Sequence, residues 1–231
     1  MRKFSLISLV VLAGCVSTTE APVSQQPKPA AAIVPTDAQV SRFKSVVANV
    51  EPVAERICRN KNSKLNCDFR IVIDDRPDQE PNAYQTQDKT GRPILAFNRA
   101  MIAKARNSDE LAFVMGHEAA HHIENHLAIQ QTNAIAGMIL LGGLAALTGA
   151  GSGGVEAAAD LGASVGARSY SKSNELEADA LGTVIAKRAG YDPVKGAAFF
   201  SQIADPGDRF LGTHPPNAQR IETVKRVNDS L

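Results

Sequence analysis

The chain has 231 residues, 44% of them hydrophobic and 21% charged, the balance of an ordinary globular domain. A formal net charge of +1 argues against nucleic acid as the main partner. The lack of tryptophan and the 5% aromatic content argue against a base-stacking or sugar-binding platform too.

The chain opens with a basic pair, Arg2-Lys3, and a short apolar run from Phe4 to Ala13, the pattern of a secretory signal. That run ends Leu12-Ala13-Gly14-Cys15, which resembles the bacterial lipobox. The resemblance implies cleavage after residue 14 and a membrane anchor of several acyl chains on Cys15. Val16 is not acidic, which in Gram-negative lipoproteins favours the outer membrane. Residues 15–36 carry Pro22, Pro27, Pro29 and Pro35 among small polar residues and read as a flexible tether. Residues 37–231 are the expected folded domain.

Within that domain, apolar residues recur at helical spacing from Val40 to Ile57. Cys58 and Cys67 follow, an even pair that reads as a disulfide in an exported protein. Free thiols and metal ligands are the alternatives, and the spacing is wrong for a zinc knuckle. Phe69–Ile73 and Pro93–Phe97 read as strands, separated by the Asp74–Asp78 breaker and the Thr90-Gly91 turn. Asn107 to Glu110 is a capping-rich helix start, and the all-apolar Leu111–Met115 predicts that this helix is buried. From Leu127 to Val155 there is no charged residue. Its strongly apolar part, residues 134–150, is short for a membrane span and interrupted by glycines, which favours a glycine-rich helical hairpin. Such a hairpin would pack near the active site or touch a bilayer surface. Ser173-Asn174 is expected to cap a helix to about Ala189, Asp192-Pro193 to open another, and Pro215-Pro216 the last. The fold class expected is α+β, mostly helical, with a small sheet.

Four of the five histidines lie between residues 117 and 126, and His117-Glu118-x-x-His121 is an H-E-x-x-H motif. On a helix, residues four apart share a face, so both imidazoles can converge on one ion with the Glu118 carboxylate beside them. A catalytic zinc site needs a third protein ligand. Glu175 and Asp179 share a helix face, which permits Glu175 to ligate and Asp179 to hold an imidazole, while Glu177 points roughly the other way. Three acids on a solvated face is the competing reading. His122 and His126 are also four apart, but residue 123 is isoleucine, so this pair lacks the base and reads as packing or hydrogen bonding, facing away from His117.

H-E-x-x-H followed by E-x-x-A-D is similar to the gluzincin metallopeptidase family that contains HtpX and the CAAX prenyl proteases. Further matches run in order and spacing across about residues 40–225. They are Asp109-Glu110-Leu111, His126, Ala189-Gly190-Tyr191-Asp192-Pro193, Thr213-His214-Pro215-Pro216 with Arg220-Ile221, and Asn82-Ala83-Tyr84. The resemblance implies a zincin-like domain whose small sheet borders the cleft, in the soluble periplasmic lipoprotein branch. It implies one zinc ion per chain, with His117, His121 and Glu175 as ligands and Glu118 as general base. By the same resemblance Asp179 lies beside a ligating histidine, and His214 approaches the open face of the metal. Arg220 either assists the oxyanion or forms a structural ion pair, and Asn82, Ala83 and Tyr84 border the substrate.

The function expected is a zinc-dependent endopeptidase lipid-anchored at Cys15 on the periplasmic face of the outer membrane. Its substrates would be unfolded or misassembled envelope polypeptides. The alternative is a chaperone-like assembly factor for outer-membrane proteins, with proteolysis secondary or latent.

Overall fold

The computed structural model describes residues 33–77, 79–167, 172–203, 205 and 215–231. Cys15 and His214 therefore lie outside the described residues. Residues 31–231 form one unit by themselves. Helix α1 (Asp37–Lys61) begins at a capping box: the Gln39 amide donates to the Thr36 hydroxyl oxygen, and the Thr36 amide donates back to the Gln39 side chain. The cap carries the helix three residues ahead of the predicted start, and Phe43, Val46, Val50, Val53 and Ile57 are buried at the predicted spacing. Cys58 and Cys67 are disulfide-bonded with Cα atoms 5.7 Å apart, tying the end of α1 to the approach to the sheet.

The sheet has three strands, β1 (Arg70–Asp74), β2 (Ala83–Gln87) and β3 (Pro93–Asn98). β3 is central, parallel to β1 and antiparallel to β2, and it is the most buried of the three. β2 was not legible as a strand because Ala-Tyr-Gln-Thr-Gln carries too little apolar alternation. The short helix α2 (Arg99–Lys104) was missed for the same reason: six residues show no period. Asn98 makes the junction. Its side-chain oxygen accepts from the Met101 and Asn82 amides, and its Nδ2 donates to the Glu80 carbonyl. One side chain thus caps α2 and fixes the entry to β2.

Helix α3 (Ser108–Ile123) starts at Asn107, whose side chain accepts from the Glu110 amide. It is buried along almost its whole length, between α1, the sheet and the helices that follow. The chain leaves α3 through Asn125, at φ +59°, and restarts as α4 (His126–Leu147). That break means His122 and His126 do not share a helical face. α4 turns back as α5 (Ser152–Ala167), forming the glycine-rich hairpin. Helix α6 (Lys172–Arg188) already includes Ser173 and Asn174, so those residues lie in its first turn rather than before it. After Gly190 (φ +88°), Asp192 caps α7 (Pro193–Ala197), a 3-10 turn covers Ala198–Gln202, and α8 (Asn217–Asp229) follows Pro216. The architecture is α+β and mostly helical.

The crossing of α3 and α6 is close because both helices offer glycine there. A Cβ on Gly116 would lie 2.8 Å from the Gly182 carbonyl oxygen, and one on Gly182 would lie 2.8 Å from the His117 amide nitrogen. Neither contact can be relieved by a side-chain rotation, since both obstacles are backbone. Gly182→Ala is expected to force α3 and α6 apart, costing about 1–3 kcal/mol. The urea midpoint should fall accordingly, whereas Gly143→Ala, with open space around it, should leave it unchanged or slightly raise it. Replacing Cys58 and Cys67 with serine opens a short loop. A destabilisation of about 2.5–3 kcal/mol is expected from urea titrations of the oxidised protein and the double variant.

Candidate metal centre

Residues four apart on α3 bring the His117 and His121 rings onto one face, and their Nε2 atoms lie 3.0 Å apart. α6 crosses that face and presents Glu175 in its first turn. One Glu175 oxygen is 3.6 Å from His117 Nε2 and the other 3.5 Å from His121 Nε2. One ligand atom from each of the three residues lies within 4.8 Å of the others, and all three residues are buried. This trio can hold a metal ion.

Asp179, one turn after Glu175, sits behind the trio. Its Oδ1 is 2.9 Å from His117 Nδ1. A carboxylate accepting from Nδ1–H leaves Nε2 with its lone pair toward Glu175. Arg220 of α8 closes the other side of Asp179 with two bonds, Nε and Nη2 each donating at 2.7 Å. The guanidinium also stands 3.9 Å above the Phe200 ring, 3.5 Å from a Glu175 oxygen and within 3.4 Å of both His117 ring nitrogens. Of the two readings of Arg220, the structural ion pair is therefore realised, and the residue also borders the cavity described below.

His121 is oriented by residues that the sequence reading treated as bystanders. Its Nδ1 is 3.0 Å from Nδ1 of His126, and His126 Nε2 is 3.3 Å from a Glu177 oxygen. With both rings neutral, Glu177 accepts from His126 Nε2–H and His126 Nδ1 accepts from His121 Nδ1–H, which leaves His121 Nε2 without a proton. His126 was expected to hydrogen-bond, but facing away from the site. The left-handed turn at Asn125 swings it back against His121. A histidine just past the end of the motif helix, with an acid at 177, was the available signal. His122 does pack as expected, edge-on to Phe69 and against the Asn66 carbonyl.

The electrostatics follow from burial and pairing. Burial opposes charge on His117, but the hydrogen bond and charge of Asp179 raise its pKa above the ordinary imidazole value. Burial, and then repulsion from His117, pushes His121 well below it. Burial opposes the charge of Asp179, yet Arg220 and then His117 hold its carboxyl below the usual range. Arg220 is raised despite burial, by Asp179. A metal ion at His117 competes with the proton that Asp179 favours, so binding releases it.

Beside the trio lies a cavity of about 210 Å³. Glu118, one residue along α3 from His117, lines it together with His117 and Arg220. The apolar part of its lining comes from Phe113, Val114, Phe199, Phe200 and Ile203, and Asn82 and Ala83 line it as well. Tyr84 is two residues from Asn82 along the strand. Its hydroxyl donates to Asp74 and accepts from Arg76.

A family model described as Peptidase family M48 matches residues 44–228. The chain is 31% identical over 157 residues to the beta-barrel assembly-enhancing protease of Escherichia coli O157:H7, covering 58% of this chain and 30% of that protein. It is 28% identical over 149 residues to the protein of the same name from Yersinia pestis, with 58% and 30% covered. The match thus spans less than a third of the length of these curated relatives. The family match runs from α1 to the end of α8 and takes in every element that builds the centre, so the chain belongs to Peptidase family M48, a family of metallopeptidases.

Proposed function

We propose that this protein is a zinc-dependent endopeptidase of the bacterial cell envelope that cleaves unfolded or misassembled polypeptides. The observation that carries the reading is the convergence of His117, His121 and Glu175 on one buried point at the edge of a cavity lined by Glu118.

The donor set fits zinc. It offers two imidazole nitrogens and one carboxylate oxygen, the ligand chemistry of a three-residue catalytic site. Charge balance points the same way: the carboxylates of Glu118, Glu175 and Asp179 face the one fixed cation Arg220, which leaves two negative charges for a divalent ion to offset. When bound there, zinc supplies Lewis acidity, which makes water a better acid and a peptide carbonyl a better electrophile.

The chain's own residues supply the rest. Glu118 takes the proton of the attacking water and returns it to the leaving amine nitrogen. Asp179 and His126 hold the two imidazoles in the tautomers that ligate. Arg220 keeps Asp179 ionised and in place. His214 is assigned, on the family resemblance, to the open face of the metal, as an oxyanion donor or a resting cap. The apolar wall accepts a hydrophobic side chain next to the scissile bond. β2 is an edge strand whose first residue, Ala83, lines the cavity, so an extended segment can add to it through backbone hydrogen bonds. That mode needs an unfolded substrate more than a particular sequence.

The disulfide supports an oxidising compartment. The lipobox-like Leu12–Cys15 supports an anchor at Cys15, with residues 1–14 removed, 15–36 as the tether and the peptidase domain on the periplasmic face of the outer membrane. The name of the relatives favours a second reading, a chaperone-like assembly factor for outer-membrane proteins with proteolysis secondary or latent.

Purified protein is expected to carry about one zinc per chain and to cleave casein or a denatured outer-membrane protein. Glu118→Gln should keep the metal and lose roughly 10²–10⁴-fold in cleavage. Metal analysis alongside cleavage assays checks both, and undiminished proteolysis in Glu118→Gln would refute the base assignment. Client assembly in cells separates the second reading, since pure assistance does not need the carboxylate.

A further inference from the structure

We propose that the α4–α5 hairpin docks on a lipid bilayer, its apolar surface in the boundary between headgroups and acyl chains and the α5 carboxylates in water. The proposal does not depend on peptidase activity. Nine of the twelve large hydrophobic residues exposed among the described residues lie on these two helices, so the surface is concentrated rather than scattered. Among the described residues α4 is also the helix that is long and apolar enough, by length and composition, to cross a membrane, and very little of it is buried in the protein.

The distribution of these residues favours lipid over a protein partner. Ile135, Ile139, Leu140 and Leu144 are all more than half exposed, and at about 100° per residue they spread over roughly half the circumference of α4. A helix covered by one partner protein shows a stripe; a helix apolar through such an arc needs an apolar medium. The join between the two helices has the same character. A Cβ on Gly137 would meet the Gly162 carbonyl at 2.2 Å, one on Gly162 the Gly137 carbonyl at 2.0 Å, and one on Gly166 the Asn133 carbonyl at 2.1 Å. Backbone lies on backbone, and the large side chains point outward instead of forming a core. Close approach through small residues is how helices associate where burial from water gives no drive.

Charge sets which side meets water. There is none from Leu127 to Val155, and the first carboxylates of the hairpin are Glu156 and Asp160 of α5. An interfacial helix keeps such a polar flank outward and buries its apolar face. Glu156 and Asp160 share one flank of α5, while the exposed Leu161 and Val165 stand about 100–180° around the helix from them. α5, about 24 Å long and bearing two acids, does not match a hydrocarbon core of about 30 Å, so the hairpin docks without spanning. If Cys15 is acylated, the chain between it and α1 is long enough for the hairpin to reach the same leaflet.

Residues 31–231, which form a unit without the apolar N-terminal run, are the material for the test. With vesicles of phosphatidylethanolamine and phosphatidylglycerol, this unit should co-float. Ile139→Glu combined with Leu144→Glu should reduce the bound fraction by about tenfold or more. Both positions are exposed, so an unchanged urea midpoint confirms that the variant folds. Because the chain has no tryptophan, Leu144→Trp is a unique probe. Its emission should shift to the blue on adding vesicles and be quenched by acyl-brominated lipid, while Lys195→Trp on α7 should not respond. Absence of both co-flotation and the shift overturns the proposal. So does a concentration-dependent dimer that the double variant abolishes, which assigns the face to a second copy. A shift seen with unfolded casein but not with vesicles likewise overturns it in favour of a polypeptide.

Discussion

The centre depends on how near two helix backbones can come. His117 and His121 are fixed to α3 by local geometry, but Glu175 arrives from a helix that starts about fifty residues later. Its carboxylate reaches the imidazoles because Gly116 and Gly182 let the axes approach until a carbonyl lies where a side chain would be. The same principle recurs one layer away, where Gly196 of α7 sits against the Asp109 carbonyl and Phe113. Glycine is poor in helix interiors, and its weakness is accepted here where contact between backbones decides the geometry of the ligands.

Close approach alone would leave polar groups stranded in the core. His117, His121, His126, Glu175, Asp179 and Arg220 are all buried, a dense set of ionisable side chains for so small a volume. Each is tolerable only through its neighbours. Arg220 offers Asp179 two short bonds, Asp179 orients His117, and His126 orients His121. The hydrogen-bond chains that make the cluster stable are the ones that turn both Nε2 atoms inward. Stability and ligand geometry are therefore the same network, and removing a member such as Arg220 would expose a buried charge as well as loosen an imidazole.

Much of this was legible in the sequence, for reasons that differ by residue. The H-E-x-x-H spacing and the Glu175/Asp179 spacing are local consequences of 3.6 residues per turn, so each half of the site could be read from its own helix. The disulfide was readable from cysteine count, and the hairpin from glycines interrupting an apolar run short for a membrane span. The joining of the halves was not, because it rests on Gly116 and Gly182, which as single letters carry no sign of a partner. His126 escaped for a related reason: a period of four was applied across Asn125, where the helix has already ended and the chain turns left-handed. β2 and α2 are placed by Asn98 and by pairing with β3, tertiary causes that leave no period behind.

The hairpin lies in the chain between the two halves of the site, and this gives it more than a decorative place. It meets the ligand set at its first residue, where His126 touches His121 and Glu177 of α6. Beyond that base its helices rest mainly on each other, through glycines. The ligands are thus braced by α3, α6 and α8, and the long apolar surface can face a different environment without taking the site's packing with it. A fold under pressure only for a stable core would bury leucine and isoleucine between α4 and α5. This one turns them outward, which in water costs free energy that core burial would otherwise provide. That arrangement is understandable if the hairpin's final surroundings are not water.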